Sequence, residues 1–586
     1  MNDSLATARI SDIDYGIKLA QKVVQFYEST RDGFAKPGFE ELYKEIFANT
    51  SLYNDQSTGH PDRRSSIVNS EWAERFYSGD KINYYQYEGK ADSRAIIADY
   101  ANLILLQPEH IWEEQIKRYT KEFRDEKPTF FGGLKFVEEQ AKKFRSEIRT
   151  ANNTFSADDV VITLSGTAAF VSAMIGARYF GSQAVAPEGY YNAYNGATKL
   201  AGMGITIIDA DAEDNYRIKP GAYLNAIKND ATICFAAYPH ANPTGNSLSK
   251  EDAYAWAHEA INIEKYLDEN EPKRKVIHQF DEVYAGISEK GVIDHSVTKA
   301  LKEIAENEPG KAHYVERVLN NSVVILSNSK LNHIPAHGGA VVTKVPEIKE
   351  LAAGLNGSLA VGGMAHAEIF VNFIDKLMNG YALDMASGID PRPDNSITRN
   401  AESYNKERRF FNEGLISIAE AAGLTKKEMI PQNYDKALYS FPRLKNLLSL
   451  GSIPDDIEVE SKGKTYNVRK VVLDDPASGK ITTSVEAARI LIIASLIPEV
   501  NLGIRTRPGE WFGDPKAIRF NITGDRKKHE RSIGVIHDLC TKILGIECNK
   551  PLDKIIDEAT EKAAISFADR VTDSSVTPLH GTKGRS

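Results

Sequence analysis

The sequence predicts an α/β protein: a mostly parallel sheet with helices on both faces, followed by a smaller α+β domain. Three observations carry this expectation. From Asp158 to Thr343, short apolar runs alternate with helix-length segments, the pattern of repeated βαβ units. Polar motifs recur where those runs stop, and in such sheets ligands sit outside the carboxyl ends of the strands. After residue 380 the pattern changes: Asp390-Pro391-Arg392-Pro393-Asp394 reads as a linker or extended loop, and helices with short strands follow it.

In chain order, residues 1–95 are expected to form an N-terminal arm and part of the small domain. Ile17, Leu19, Ala20, Val23, Val24 and Phe26 have helical spacing. Gly59-His60-Pro61-Asp62 reads as a turn. A tyrosine cluster, Tyr84-Tyr85-Gln86-Tyr87, precedes Gly89, and residues 94–100 begin a helix.

The large domain is placed at 96–380. It opens with extra helices at about 101–150, where Glu113, Glu114, Lys117, Arg118, Lys121 and Glu122 form a solvated face of i,i+4 pairs. Strands are then expected at 160–164, 183–187, 205–209, 232–239, 275–280, 323–326 and 338–343. A helix opens at Ser165 and runs to about 179. A second, at about 250–267, is announced by Ser249 and Asp252 as a capping box. The small domain is placed at 381–570, and residues 571–586, rich in Ser, Thr, Asp and Gly, as a flexible tail.

Composition excludes several classes. The net charge of −9, from 72 basic and 81 acidic residues, argues against non-specific nucleic-acid binding. Cys234, Cys540 and Cys548 have no metal-ligand spacing, so no metal is expected, and their small number fits a reducing compartment. No signal peptide is evident, and no stretch approaches the ~20 apolar residues of a membrane span. A cytoplasmic protein is expected.

The chemistry gathers at the strand ends. Lys330 lies in Ser327-Asn328-Ser329-Lys330, just past the apolar run 323–326. Burial would lower the pKa of its amine and make it a nucleophile; a strand-end lysine is also an ordinary surface residue. Ser165-Gly166-Thr167-Ala168 stands where a strand turns into a helix, so its N–H groups could hold a phosphate, although small residues also serve tight turns. Asn242 follows the strand at 232–239, and Asp281 and Tyr284 follow the one at 275–280. Alone, Asn242 reads as a turn residue and Asp281 as a turn carboxylate.

Taken together, Asn242-Pro243-Thr244-Gly245, Asp281-x-x-Tyr284, Ser327-x-Ser329-Lys330 and Pro508-Gly509-x-x-Phe512-Gly513 with Arg519 resemble the pyridoxal-phosphate enzymes of the aspartate-aminotransferase superfamily, fold type I, class I/II. The resemblance covers roughly residues 80 to 530. It implies pyridoxal 5'-phosphate as cofactor and Lys330 as its internal-aldimine lysine and proton carrier. Asp281 would pair with the pyridine nitrogen, and Asn242 and Tyr284 with the ring oxygen. Ser165, Gly166, Thr167, Ala168, Ser327 and Ser329 would surround the phosphate. Tyr191 would stack on the ring, with Tyr190 as an alternative. Tyr85 would reach the phosphate of a neighbouring subunit, which implies a homodimer or higher homo-oligomer. Arg519 would clamp the substrate carboxylate.

The match departs from the family at two places. The family usually carries a phosphate-binding arginine after the lysine; residues 331–339 contain none, and His337 is nearest. Either His337 is protonated there, another cation replaces the arginine, or His337 only packs. Residues 355–359, Leu-Asn-Gly-Ser-Leu, lack the arginine that selects dicarboxylic substrates; Arg505 or Arg507 could serve. The resemblance implies an aminotransferase acting on an L-amino acid and a 2-oxo acid. The alternatives are a lyase or decarboxylase of the same fold, or a non-catalytic cofactor-binding protein.

Overall fold

The computed structural model describes residues 36, 38–56, 90–102, 154–211, 216–238, 242–245, 248–284, 287, 295–327, 329–330, 338–359, 396–431, 438–523 and 525–564. The expected helix at 17–27, the turn at 59–62, the tyrosine cluster with Tyr85, nearly all of the charged helices at 101–150, the stretch with His337, the segment at 390–394 and the tail lie outside them.

All seven expected strands form, and they make one sheet. They are β1 (Val160–Thr163), β2 (Gln183–Pro187), β3 (Gly204–Ile208), β4 (Ile233–Ala237), β5 (Ile277–Asp281), β6 (Ser322–Ser327) and β7 (Gly339–Thr343), in spatial order β1-β7-β6-β5-β4-β2-β3. Every pair is parallel except the two that β7 makes, with β1 and with β6. Because β7 runs backwards between them, β1 still points the same way as the others. Six carboxyl ends therefore share one edge, where β7 also begins: Gly339 stands opposite both Thr163 and Ser327.

Alternate residues of each strand feed two apolar layers, the period-2 consequence of the pleat. On one face Val323, Ile325 and Val341 meet Phe170 and Met174 of helix α1 (Gly166–Ala177) and Ile348 and Ala352 of the helix Pro346–Leu359. On the other face Val324, Leu326, Ala340 and Val342 belong to the core that contains Trp256 and Ala257 of α2 (Lys250–Asn270) and Leu301 and Ile304 of the helix Val297–Asn307. Each such side chain contributes about 1.5–3 kcal/mol when fully buried. Ser249 caps α2 by accepting from the N–H of Asp252 at 3.0 Å and donating to its carboxylate at 2.8 Å.

The C-terminal elements build a small antiparallel sheet, β8 (Tyr439–Ser440), β10 (Ile518–Asn521) and β9 (Arg507–Pro508), in that order. Beside it α3 (Ser396–Ala421) packs against Arg526–Asp538 and Leu552–Ala564. The sequence Pro508-Gly509-x-x-Phe512-Gly513 is a tight turn for steric reasons. A Cβ on Gly509 would stand 2.0 Å from the Asp514 carbonyl oxygen, and Gly513 has φ +84°, a region that favours glycine. The turn presents Phe512 toward the sheet edge, and the Gly189 N–H docks on the Phe512 carbonyl at 2.8 Å. Among the described residues no helix is long and apolar enough to cross a membrane, and no group of three or more His, Cys, Asp or Glu could hold a metal ion.

Candidate active site

The carboxyl ends of β1, β4, β5 and β6 place the predicted polar residues next to one another and next to β8 and β10. Ser165 ends the loop after β1 and caps α1: its hydroxyl accepts from the Ala168 N–H at 3.0 Å. Gly166 opens the helix where a Cβ would meet Ser327 Cβ at 3.0 Å and Val283 Cγ1 at 3.2 Å. Ser327, at the end of β6, donates to the Gly338 carbonyl at 2.8 Å and lies 3.1 Å from the Ser329 hydroxyl. Two strand ends thus bring Ser165, Gly166, Thr167, Ser327 and Ser329 around the positive end of α1.

Asp281 is the last residue of β5 and is buried. Its carboxylate accepts from the Tyr194 hydroxyl at 3.0 Å, and Tyr194 in turn accepts from Gln279 at 2.7 Å. Tyr191 hydrogen-bonds Thr167 and packs edge-on to Phe170 and Tyr194. Burial, reinforced by Tyr439 and Asp281 against Arg519, pushes its phenol up to about 12, so it is neutral. Tyr190 instead accepts from Asn195 at 2.5 Å and stacks on Tyr194 at 6.4 Å.

Lys330 stands three residues past Ser327, with Nζ 5.9 Å from the centre of the Tyr284 ring. Although the residue is only partly buried, its amine is desolvated, and that burial is the main reason its pKa falls below the usual lysine value. The Arg519 charge lowers it further, while a hydrogen bond to Tyr439 and the Asp281 charge oppose the shift. The free amine is the nucleophilic form.

Arg519 enters from β10 and is 4 % exposed. Its guanidinium donates to Asn242 Oδ1 at 3.0 Å and lies between the rings of Tyr439 at 4.8 Å and Phe512 at 5.1 Å. Tyr284 meets the Tyr439 hydroxyl at 2.7 Å. The structure therefore gathers Ser165, Gly166, Thr167, Ala168, Tyr191, Asn242, Asp281, Tyr284, Ser327, Ser329, Lys330 and Arg519 at one sheet edge. Tyr85 and His337 lie outside the described residues.

Two residues were missed. Tyr439 is fully buried at the centre of the cluster, and its only sequence signal is a short alternation in Leu438-Tyr439-Ser440-Phe441. Arg408 of α3, also fully buried, donates to the carbonyls of Gly245 at 3.2 Å and Tyr439 at 3.5 Å and so ties the Asn242–Gly245 turn to β8.

This donor set suits one kind of group. A helix start flanked by hydroxyls accepts a phosphate, a buried carboxylate holds the proton of a ring nitrogen, and a desolvated amine attacks an aldehyde in its free form. Pyridoxal 5'-phosphate carries all three.

Comparison with known proteins agrees with that chemistry. The family model described as aminotransferase class I and II matches residues 97–536. No curated protein sequence matches the chain. Among solved structures, an aspartate aminotransferase double mutant from Thermus thermophilus is 14 % identical with a TM-score of 0.52, covering 86 % of this chain and 96 % of its own. The aspartate aminotransferase from Rhizobium meliloti is 14 % identical with a TM-score of 0.53, covering 87 % and 98 %. At such identity the likeness is one of fold.

Proposed function

The chain belongs to the class I and II aminotransferase family, and on that premise we propose that it transfers an amino group between an L-amino acid and a 2-oxo acid, with pyridoxal 5'-phosphate held at Lys330. The observation that carries this reading is the desolvated amine of Lys330, set among Asp281, Tyr284 and Arg519 at the ends of different strands.

When bound, the cofactor supplies an electron sink for negative charge at the substrate Cα. The residues of the chain do the rest. Ser165, Gly166, Thr167 and Ala168, with Ser327 and Ser329, bind the phosphate through the helix start and its hydroxyls. Asp281 holds a proton on the ring nitrogen, its own carboxylate oriented by Tyr194. Tyr191 packs against the ring. Asn242 and Tyr284 orient the ring oxygen. Arg519 binds the substrate carboxylate, its guanidinium held in plane by Asn242 and two aromatic rings. Lys330 Nζ, whose pKa burial lowers, accepts and returns a proton.

The helix Pro346–Leu359 supplies no cation from its last turn, where residues 355–359 contain no arginine, so nothing there favours a dicarboxylic substrate. The division into 1–95, 96–380, 381–570 and tail, and a homo-oligomer completed by Tyr85, belong to the same proposal.

Incubating the loaded protein with single amino acids and a 2-oxo acid tests the reading. Stoichiometric appearance of the new amino acid supports it. Release of ammonia or carbon dioxide without exchange would contradict it.

A further inference from the structure

We propose that Tyr439 is a second catalytic tyrosine, a proton partner of Lys330 that links the amine to the hydroxyl of Tyr284. The inference rests on the assignment of Lys330 as the reactive lysine, and it adds a residue that none of the sequence motifs contains.

The geometry is that of a three-member chain. The Tyr439 hydroxyl hydrogen-bonds Lys330 and lies 2.7 Å from the hydroxyl of Tyr284. Both rings are buried, meeting at 5.9 Å and 69°. A pair of phenols at that distance shares one proton between two oxygens, so one donates and the other accepts. The direction is set by the third member. While Lys330 is a free amine, Tyr439 donates to Nζ and accepts from Tyr284. When Lys330 is an ammonium, Nζ donates to Tyr439, which then donates to Tyr284. A change of charge on Lys330 therefore reverses both hydrogen bonds, and Tyr439 donates one and accepts one in either state. Tyr284 turns outward as a donor in one state and is available as an acceptor in the other.

Tyr439 is also held as a reacting group must be. Its backbone pairs with Asn521 on β10, two residues along from Arg519 and on the same face. The Arg519 guanidinium covers its ring at 4.8 Å. Arg408 fixes its carbonyl from behind. The titratable and charged groups near Lys330 are thus Tyr439, Arg519 and Asp281, with the Tyr284 ring at 5.9 Å and Tyr191 among the same phenols. Of these, Tyr439 is the one whose hydrogen bond favours the ammonium.

Tyr439→Phe keeps the ring under Arg519 and removes one oxygen. The test reads Lys330 in cofactor-free protein, by competitive acylation across pH and mass spectrometry of the Lys330 peptide. Loss of the hydrogen bond lowers the labelling midpoint by about half a unit to one unit. In loaded protein the same variant slows single-turnover amino exchange about 10- to 100-fold, the usual scale of one proton-transfer partner, with little change in the half-saturating amino-acid concentration. An unmoved midpoint overturns the proposal. Should Tyr439→Phe fail to fold, a difluorotyrosine at 439 keeps the shape with a more acidic phenol; a displaced midpoint then supports the proposal and an unmoved one overturns it. Absence of exchange in the wild type would instead count against the aminotransferase reading, since the labelling midpoint does not depend on it.

Discussion

Replacing Arg519 with lysine keeps a positive charge at the site and removes the planar fork. The structure sets the size of the loss. The guanidinium is almost wholly buried, donates to Asn242 at 3.0 Å and packs between two rings at 4.8 and 5.1 Å. One charge-assisted hydrogen bond to a carboxylate is worth about 1.5–3 kcal/mol, and the ring contacts about 0.5–2 kcal/mol. The sum, about 2–4 kcal/mol after partial compensation by the ammonium, corresponds to roughly a 30- to 1,000-fold fall in kcat/KM. The assay is amino exchange with an L-amino acid, run beside the amine that lacks its carboxylate. Arg519→Lys should penalise the amino acid and leave the amine nearly unchanged. Arg519→Ala goes further: it removes a charge that holds the Lys330 pKa down, so the labelling midpoint of Lys330 must rise. Equal losses for acid and amine, or a variant within threefold of the wild type, would refute the assignment of Arg519 to the carboxylate.

Three other changes test the frame around the site. Gly339→Ala sets a Cβ 2.4 Å from the backbone carbon of Ser165 and 2.5 Å from the Gly166 nitrogen, so it should destabilise by about 3 kcal/mol and weaken cofactor binding, both read by thermal melting with and without pyridoxal phosphate. Glu188, beside Asp514, is raised to about 7 mainly by burial and then by the Asp514 charge. Its protonated form therefore favours the folded state below its unfolded pKa, and that contribution is lost as pH rises through about 7; Glu188→Gln should melt about 1–2 °C higher than wild type at pH 8 and no higher at pH 4.5, the effect being discounted for partial exposure. Glu264 accepts from His278 at 2.9 Å, Arg317 at 3.1 Å and Asn321 at 3.0 Å, fully buried; Glu264→Gln should cost about 3–5 kcal/mol in denaturant unfolding without altering the labelling profile of Lys330.

The large sheet was legible because most of its strands are apolar runs that stop at Gly, Pro, Asp or a small hydroxyl, and because the parallel arrangement brings the ends of six of them to one edge. The direction of β7 was not legible. Its run, Gly339-Ala340-Val341-Val342-Thr343, looks like its neighbours, and only the short connection from β6 distinguishes it. The small sheet was harder still, since β8 and β9 are two residues each and carry no period. Asn242, Asp281, Tyr284, Lys330 and Arg519 were found through ordered motifs. Tyr439 escaped because its meaning comes from Tyr284, 155 positions away, and from the fold that joins β8 to the edge of the sheet. Arg408 escaped for a similar reason: a basic residue in a charged helix reads as solvated, yet here it points into the protein and holds two backbone segments together.

The central claim is that Lys330 is the residue that holds the cofactor. Protein loaded with pyridoxal 5'-phosphate is reduced with borohydride, digested and mapped by mass spectrometry. The account predicts a single pyridoxyl mass on the peptide that contains Lys330, and its disappearance, together with the near-visible absorbance, in Lys330→Ala. The same mass on another lysine, or a Lys330→Ala protein that keeps the absorbance and the adduct, would contradict it.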